Sequence, residues 1–265
     1  MKPKQCRAKI IANENINNGF YNLVIQCPYI AENCTPGQFA MLDIGKNHVP
    51  YIRRPLAIAA IEREDGTVRF IYKLVGNGTH SLSEMERGSE FTIIGPLGNG
   101  YTVPPKDSRV LLVAGGIGIT SIMCILQLLR ELDCKTYLAM GSRDKNGLLC
   151  MEEVQNMCTE LCVSTEDGTV GYHGMITPVV EELISKHKFD IAYMCGPESM
   201  MKFVSPVIFN AGIHCEVSME RRMGCGIGVC VGCSCKLNDP QKGLIQKRVC
   251  KEGPVFNAQE VVWNG

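Results

Sequence analysis

The sequence has no excess of either charge. Lys and Arg together number 27, as do Asp and Glu, so the formal net charge is zero. Nucleic-acid-binding domains carry a basic face or stripe, so this balance argues against nucleic acid as a partner. A long apolar run is also missing, because the longest candidate, residues 117–132, is interrupted by Thr120, Ser121, Gln127 and Arg130. A membrane-spanning helix needs about 20 apolar residues, and we therefore expect no membrane span.

A secretory signal is not expected either. The basic start at residues 1–4 is followed by polar, Asn-rich sequence in place of an apolar segment. The chain does contain 15 cysteines, but disulfide scaffolds are short and secreted, whereas these cysteines are dispersed through apolar runs. We therefore expect a cytoplasmic protein in which most thiols are reduced and buried.

Four cysteines form the most specific pattern of the chain. Cys225, Cys230 and Cys233 have the spacing C-x4-C-x2-C, and Cys250 follows after sixteen further residues. This opening spacing is typical of the thiolate ligands of a plant-type [2Fe-2S] cluster. The intervening glycines permit sharp bends and close approach of backbone N–H groups to sulfur. The sequence therefore predicts an iron–sulfur cluster at these residues.

Other interpretations of the cysteines stay open at this point. A zinc knuckle usually combines paired C-x2-C units, often with His, whereas this loop has one such unit and no nearby His. Unliganded thiols are the other alternative. Cys235 competes with Cys250 as fourth ligand, because residues i and i+2 of an extended chain point the same way. We favour Cys250, which leaves the loop less crowded.

Residues 1–102 predict a small antiparallel barrel. Short apolar or alternating runs are separated by turns rich in Gly, Asn and Pro, and strands at this spacing favour a six-stranded barrel. The expected strands cover residues 8–12, 20–25, 39–44, 56–62, 68–74 and 91–95, and one short helix is expected over residues 81–87.

Two adjacent arginines late in the barrel form a candidate phosphate clamp. Arg53 and Arg54 precede Pro55, and guanidinium groups suit bidentate phosphate contacts. Backbone N–H groups of residues 75–80, at the start of the short helix, could bind the same pyrophosphate. The alternative is a solvated basic turn. His80 is interpreted as a capping or surface residue and not as a catalytic one.

Residues 103–219 predict a doubly wound parallel sheet, because strands alternate with helices. Gly115, Gly116 and Gly118 lie between a strand and a helix, where backbone N–H groups can receive a pyrophosphate. This turn is not the G-x-G-x-x-G fingerprint, and tight packing is the alternative. Two further strand ends carry Gly141 and the run Cys195-Gly196-Pro197, and ligands of open α/β sheets bind at such ends.

Residues 220–265 have little periodicity and hold the four spaced cysteines, which indicates a small domain stabilised by its cluster. The predicted fold is thus a barrel, a nucleotide-binding α/β domain and a C-terminal [2Fe-2S] domain. This order resembles the ferredoxin–NADP reductase superfamily and, over nearly the whole chain, the electron-transfer subunit family of class 1B dihydroorotate dehydrogenase. The resemblance rests on Arg53-Arg54-Pro55, Tyr72-Lys73, Gly78-Thr79, Gly95–Gly98, Gly115–Gly118, Cys195-Gly196-Pro197 and the four cysteines.

The resemblance implies three cofactors: FAD, a [2Fe-2S] cluster and NAD. FAD would be lined by three segments of the barrel, namely Arg54-Pro55-Leu56-Ala57, Ile71-Tyr72-Lys73 and Gly78-Thr79. The family usually has Ser where this chain has Ala57. NAD would bind at Gly115, Gly116, Gly118, Gly141 and Cys195-Gly196-Pro197. No catalytic acid or base is expected, because the chain's task is to position cofactors that carry out the chemistry.

The resemblance also implies a partner. In this family a separate FMN-containing subunit oxidises dihydroorotate for pyrimidine (UMP) biosynthesis, and the expected assembly is a heterotetramer of two plus two chains. Electrons would pass from FMN through the cluster and FAD to NAD+. The alternatives are the flavin subunit of another NAD(P)-linked complex (hydrogenase, sulfide dehydrogenase or ferredoxin–NADP transhydrogenase type) and a non-enzymatic redox sensor or scaffold.

Overall fold

The computed structural model describes residues 2–17, 19–44 and 52–263. Its first section contains β1 (Lys4–Asn17), β2 (Phe20–Gln26), α1 (Pro28–Asn33), β3 (Phe39–Leu42), β4 (Arg54–Glu62), β5 (Thr67–Lys73), α2 (Asn77–Ser83) and β6 (Glu90–Leu97). The six strands close into an antiparallel barrel in the order β1-β2-β5-β4-β3-β6. The predicted barrel is confirmed.

Side chains alternate across the barrel wall, as expected for a strand period of two. On β5, Val68, Phe70 and Tyr72 belong to the buried barrel core. The residue between the last two, Ile71, packs instead in a core shared with the neighbouring sheet. One face of β5 therefore fills the barrel, and the other is turned toward the second section.

The helix expected over residues 81–87 was placed too far along the chain, because α2 spans Asn77–Ser83. Its start is fixed by the Thr79 hydroxyl, which accepts hydrogen bonds from the N–H groups of Val75 and Gly76 at 2.9 and 3.3 Å. Helix α1 was not predicted. It has a proline in its first turn, where the missing N–H is least costly.

The second section is the predicted α/β domain. It contains β7 (Arg109–Gly115), α3 (Ile119–Glu131), β8 (Lys135–Ser142), α4 (Met151–Met157), β9 (Glu160–Thr165), β10 (Tyr172–His173), α5 (Thr177–Lys186), β11 (Ile191–Cys195), α6 (Glu198–Asn210) and β12 (Cys215–Ser218). From β7 the chain moves outward through β8, β9 and β10, and then returns to β11 and β12 on the other side of β7. The strand order therefore reverses between β7 and β11, the position where such sheets bind ligands.

The third section contains β13 (Ser234–Asp239), β14 (Gly243–Arg248) and β15 (Val255–Asn257). The first two form a hairpin, whereas β15 joins the second section's sheet, antiparallel to β12. The third section is thus continuous with the nucleotide-binding sheet. The division of the chain at residues 102 and 219 stays a prediction.

Helix α3 attaches the sheet to the barrel. The Gln127 side chain donates to the carbonyl of Ile61 on β4 (3.0 Å) and accepts from its N–H (3.2 Å), as a neighbouring strand would. Arg69 on β5 forms an ion pair with Glu153 on α4 at 2.6 Å. Within the described ranges, no helix is both long and apolar enough to cross a membrane.

Candidate cofactor sites

The cysteine loop directs backbone N–H groups at sulfur. The Cys225 thiol accepts hydrogen bonds from the N–H groups of Val229 (3.3 Å) and Cys230 (3.4 Å). Burial acts to raise the pKa of Cys225, but the N–H groups of Cys230, Ile227 and Val229 outweigh it and lower the pKa to about 6. This thiol is therefore prepared to act as a thiolate ligand.

Cys233 and Cys250 meet on the buried side of the loop. The N–H of Cys250 donates to the Cys233 sulfur at 3.4 Å, and both side chains are buried. Burial, followed by contact with Cys233, raises the pKa of Cys250 to about 12. Cys235 is buried as well, and burial raises its pKa, against the opposing effect of the Arg221 charge. Cys250 thus lies beside Cys233 in the structure, although Cys235 is much nearer to Cys233 in the sequence.

Space does not require glycine on either side of Cys230. A Cβ atom at Gly224 or Gly232 would lie 3.4 or 3.7 Å from the Cys230 sulfur, an ordinary van der Waals contact. Val231 has φ +52°, which is unusual for a β-branched residue and typical of functional sites. Among the described side chains, no three Cys, His, Asp or Glu residues surround a single metal position. Thiols that accept hydrogen bonds from backbone N–H groups nevertheless fit an iron–sulfur cluster.

The cluster loop rests on the barrel through Met41, which the sequence did not indicate. Gly226 has φ +70°, and a Cβ atom there would lie 2.7 Å from the Met41 sulfur. Met41 is fully buried on β3, opposite Pro55 of β4. The loop between the first two cysteines therefore lies one strand away from the proposed FAD segment.

An ion pair fixes the other side of the loop. Arg248 donates to the carbonyl of Gly228 at 2.6 Å and pairs with Glu252 through its Nε (3.0 Å) and terminal nitrogen. Arg248 holds the pKa of the Glu252 carboxyl at about 2. Asn99, just after the Gly95–Gly98 run, donates through its amide to the carbonyl of Glu252 at 2.9 Å. The Gly95–Gly98 run therefore meets the third section, a role that its sequence did not reveal.

The two adjacent arginines have different surroundings. Arg53 donates to the Thr92 carbonyl and hydroxyl, both at 2.9 Å, and pairs with Asp43 at 3.2 Å. Arg54 donates to the Ile52 carbonyl at 2.5 Å and lies over Gly78, where a Cβ atom would be 2.9 Å from its guanidinium carbon. Arg53 is therefore a structural residue, whereas Arg54 and Gly78 come together as the prediction requires.

The remaining predicted FAD residues lie on adjoining segments. Pro55, Leu56 and Ala57 are half-buried on β4, which pairs with β5. Lys73 is exposed at the end of β5. Tyr72 points into the barrel, where its hydroxyl donates to Asn13 at 2.9 Å. Tyr72 would therefore contact FAD through its backbone and not through its side chain.

The predicted NAD residues converge at the reversal of strand order. Gly118 presses against the Cys195 carbonyl, where no Cβ atom fits, and a Cβ atom at Gly196 would be 2.9 Å from the Gly115 nitrogen. Gly116 has φ +51°. Pro197 precedes α6, and Gly141 lies opposite Gly115 on the adjoining β8. Gly118 is therefore needed for tight packing, the alternative considered for this turn. The same packing brings the ends of β7 and β11 together into one surface.

Cys195 itself is not a nucleophile. Burial raises its pKa, and so does the nearby Glu220 carboxylate, against smaller opposing effects of the Ser218 and Ser121 hydroxyls. The Ser121 hydroxyl also lies 3.0 Å from that of Tyr101. A neutral buried thiol of this kind contributes to the site by packing beneath it.

Several known proteins are similar to this chain over nearly its whole length. Residues 220–262 match the family model of the iron–sulfur cluster binding domain of dihydroorotate dehydrogenase B, and residues 112–206 match that of the oxidoreductase NAD-binding domain. The chain is 35% identical over 256 residues to the dihydroorotate dehydrogenase B (NAD(+)) electron transfer subunit of Desulforamulus reducens, which covers 97% of both chains. Identity to the same subunit of Caldanaerobacter subterraneus is 36%, covering 97% of this chain and 98% of the relative.

The chain belongs to the family of dihydroorotate dehydrogenase B electron transfer subunits. The predicted family, enzyme class and cofactor set are thereby confirmed, and the family name implies a catalytic partner subunit.

Solved structures agree on the fold. A NADH-dependent reduced ferredoxin–NADP oxidoreductase, studied for flavin-based electron bifurcation, superposes with a TM-score of 0.84 at 30% identity, over 96% of this chain and 89% of that chain. A ferredoxin–NADP+ reductase from Neisseria gonorrhoeae with bound FAD and NADP gives 0.65 at 17% identity, over 83% and 94% of the two chains. The second likeness concerns the fold alone.

Proposed function

We propose that this chain carries electrons from a dihydroorotate-oxidising, FMN-containing subunit to NAD+, through a [2Fe-2S] cluster and FAD. The observation that carries the proposal is the contact of Gly226 with Met41. It joins the cysteine loop to β3, which pairs with the proposed FAD strand β4. The barrel in turn packs on the sheet whose strand order reverses at the NAD residues. The three sites are therefore contiguous.

The cysteines hold the cluster in this proposal. Cys225, Cys230, Cys233 and Cys250 supply four thiolates, the ligand set of a [2Fe-2S] cluster. The N–H groups of Val229 and Cys230 reach the Cys225 sulfur and favour its charged form. Such hydrogen bonds help to set the cluster's reduction potential.

Arg54, Gly78 and Thr79 bind the FAD pyrophosphate. The guanidinium supplies charge and directed donors, and Gly78 allows the guanidinium to lie against the α2 backbone. The backbone of Ile71, Tyr72 and Lys73 continues this surface along β5. Bound FAD exchanges single electrons with a cluster and an electron pair, as hydride, with nicotinamide.

Gly115, Gly116 and Gly118 receive the NAD pyrophosphate at the reversal of strand order. The absence of side chains lets phosphate approach the turn before α3. Gly196 and Pro197 form the facing wall at the end of β11. The chain's contribution to hydride transfer is thus placement of the nicotinamide beside the barrel.

The cluster loop is the surface that receives the partner. Ile227, Val229 and Val231 are 45%, 75% and 59% exposed, and exposed apolar side chains gathered in one loop mark interaction sites. A partner seated there would exclude water from the cluster and bring its own FMN close. We propose a cytoplasmic heterotetramer of two plus two chains.

Co-expression with an FMN-containing dihydroorotate-oxidising chain tests the proposal. We expect a complex that contains iron and both flavins and reduces NAD+ when dihydroorotate is added. A complex of the two chains that carries iron and both flavins but shows no dihydroorotate-dependent NAD+ reduction would contradict it.

A second candidate function is the flavin subunit of a ferredoxin–NADP oxidoreductase type of complex. The structural similarity to such a protein, with a TM-score of 0.84, favours it. The two candidates differ in the electron donor, so purified chain that accepts electrons from reduced ferredoxin, and forms no complex with the dihydroorotate-oxidising chain, would support the second.

A further inference from the structure

A half-buried asparagine outside every predicted site connects two of the proposed FAD segments. Asn13, on β1, donates from its Nδ2 to the carbonyl of Leu82 (2.8 Å) and to that of Met85 (3.0 Å). Its Oδ1 accepts a hydrogen bond from the Tyr72 hydroxyl at 2.9 Å. The side-chain amide therefore uses both its donors and its acceptor in one network.

The two carbonyls lie at the C-terminal end of α2. Leu82 is in the helix's last turn and is buried in the barrel core, and Met85 lies just beyond the helix. The Leu82 carbonyl accepts a hydrogen bond from the Met85 N–H at 3.1 Å. Asn13 adds a second donor to this carbonyl and a donor to that of Met85, and so ties the end of α2 to the barrel wall.

The other end of α2 carries the FAD residues. Gly78 and Thr79 are in its first turn, and the Arg54 guanidinium lies against Gly78. The helix has only seven residues, and helices this short have little stability of their own. Its position must therefore come from tertiary contacts, of which the Asn13 amide provides two.

We propose that Asn13 is a positioning residue for FAD, which holds α2 and β5 at a fixed separation without touching the cofactor. This inference rests on the proposed function, because it assumes that Arg54, Gly78 and Thr79 bind FAD. Release of α2 would move Gly78 and Thr79 away from the surface formed by β5, and FAD affinity would fall.

Replacing Asn13 by aspartate tests whether Asn13 positions α2 or only stabilises the barrel. Asn13→Asp keeps an oxygen that can accept from Tyr72, but it replaces the amide N–H donors with a carboxylate that faces two carbonyls. The variant Asn33→Asp is the matched control. Asn33 is also half-buried in the barrel, and its Nδ2 donates to a helix carbonyl, that of Tyr29 on α1, at 2.8 Å.

The test measures the FAD dissociation constant of the full-length chain after removal of flavin, by quenching of flavin fluorescence, with iron content measured alongside. We expect Asn13→Asp to weaken FAD binding at least tenfold with iron unchanged, and Asn33→Asp to stay within twofold of the parent. If the parent binds FAD and Asn13→Asp binds it equally well, this inference is wrong and the proposed function stands. A parent chain that binds no FAD overturns the proposed function itself.

Hydrogen exchange distinguishes local release from unfolding. In Asn13→Asp and in the milder Asn13→Ser, which keeps one small donor, we expect faster exchange confined to residues 75–86. Faster exchange throughout the barrel in both variants would contradict the positioning role, because it would mean that Asn13 supports the whole barrel.

Discussion

The side chain of Met41 lies directly beneath Gly226, between the first two cysteines of the cluster loop. Met41 belongs to the barrel and Gly226 to the third section, so this contact fixes the position of the cysteine loop relative to β3. Gly226 also has φ +70°, a conformation in which a side chain costs about 1–2 kcal/mol. Space and backbone conformation both require glycine here.

Gly226→Ala is therefore expected to reduce the iron bound per chain by at least half, because its Cβ atom displaces the loop from Met41. Gly243→Ala is the control, since Gly243 has the same φ of +70° but nothing within 4 Å of the added atom. Iron and sulfide analysis compares the two. Equal iron loss in both variants would show that the backbone conformation matters and the Met41 contact does not.

The fourth ligand is tested by single replacements. Cys250 donates its N–H to the Cys233 sulfur, whereas Cys235 is a buried thiol on β13 whose pKa is raised mainly by that burial. We expect Cys250→Ser to lose the cluster's visible absorption and Cys235→Ser to keep it. Loss of the absorption in Cys235→Ser alone would contradict the assignment.

The ion pair of Arg248 and Glu252 is expected to stabilise the third section. Glu252→Gln weakens the hold of Arg248 on the Gly228 carbonyl and should lower the free energy of unfolding by about 1 kcal/mol, the upper end for a partly exposed pair. Trp263, the only tryptophan, reports on this section by fluorescence during urea unfolding. Glu182→Gln, which breaks the more exposed pair with Lys186, should change almost nothing, and an equal effect would contradict the prediction.

Gly118→Ala is expected to abolish NADH oxidation with an artificial acceptor while flavin and iron stay bound. Its Cβ atom would displace the Cys195 carbonyl and separate the ends of β7 and β11. Gly212→Ala is the control in the same domain, because nothing lies within 4 Å of the added atom although φ is +73°. NADH oxidation at the parent rate by Gly118→Ala would place the nicotinamide elsewhere.

A charge on the cluster loop should prevent partner binding. Val229 is exposed, and its backbone N–H, not its side chain, reaches Cys225. We expect Val229→Glu to keep iron, flavin and NADH oxidation but to lose co-purification with the FMN subunit. Phe203→Glu, on the similarly exposed face of α6, should still co-purify. If the two variants behave in the opposite way, the partner binds at α6.

Regular elements with strong local signals were predictable from the sequence. The six strands of the barrel and the alternation of strands with helices over residues 103–219 were predicted and are found, because the apolar pattern of each element lies within its own residues. Helix α2 was misplaced because its start depends on the Thr79 hydroxyl, a hydrogen bond of one side chain that leaves no periodic pattern.

The contacts between sections could not be predicted. Met41 looks like any core residue of a strand, and Asn13 like a polar residue near a turn, since their roles depend on partners 185 and 59–72 positions away. Strand β15 is three residues long and joins a sheet whose other strands are much earlier in the chain. Contacts between such distant residues cannot be predicted from sequence spacing unless the residues belong to a recognisable motif, as the four cysteines do.

Anaerobic titration of the purified chain with NADH, followed by visible absorption, tests the central claim most directly. If electrons pass between NAD, FAD and the cluster within this chain, NADH will bleach the flavin bands and reduce the iron–sulfur absorption in the same sample. Bleached flavin beside a cluster that stays oxidised but accepts electrons from dithionite, or iron without any flavin, would contradict the account.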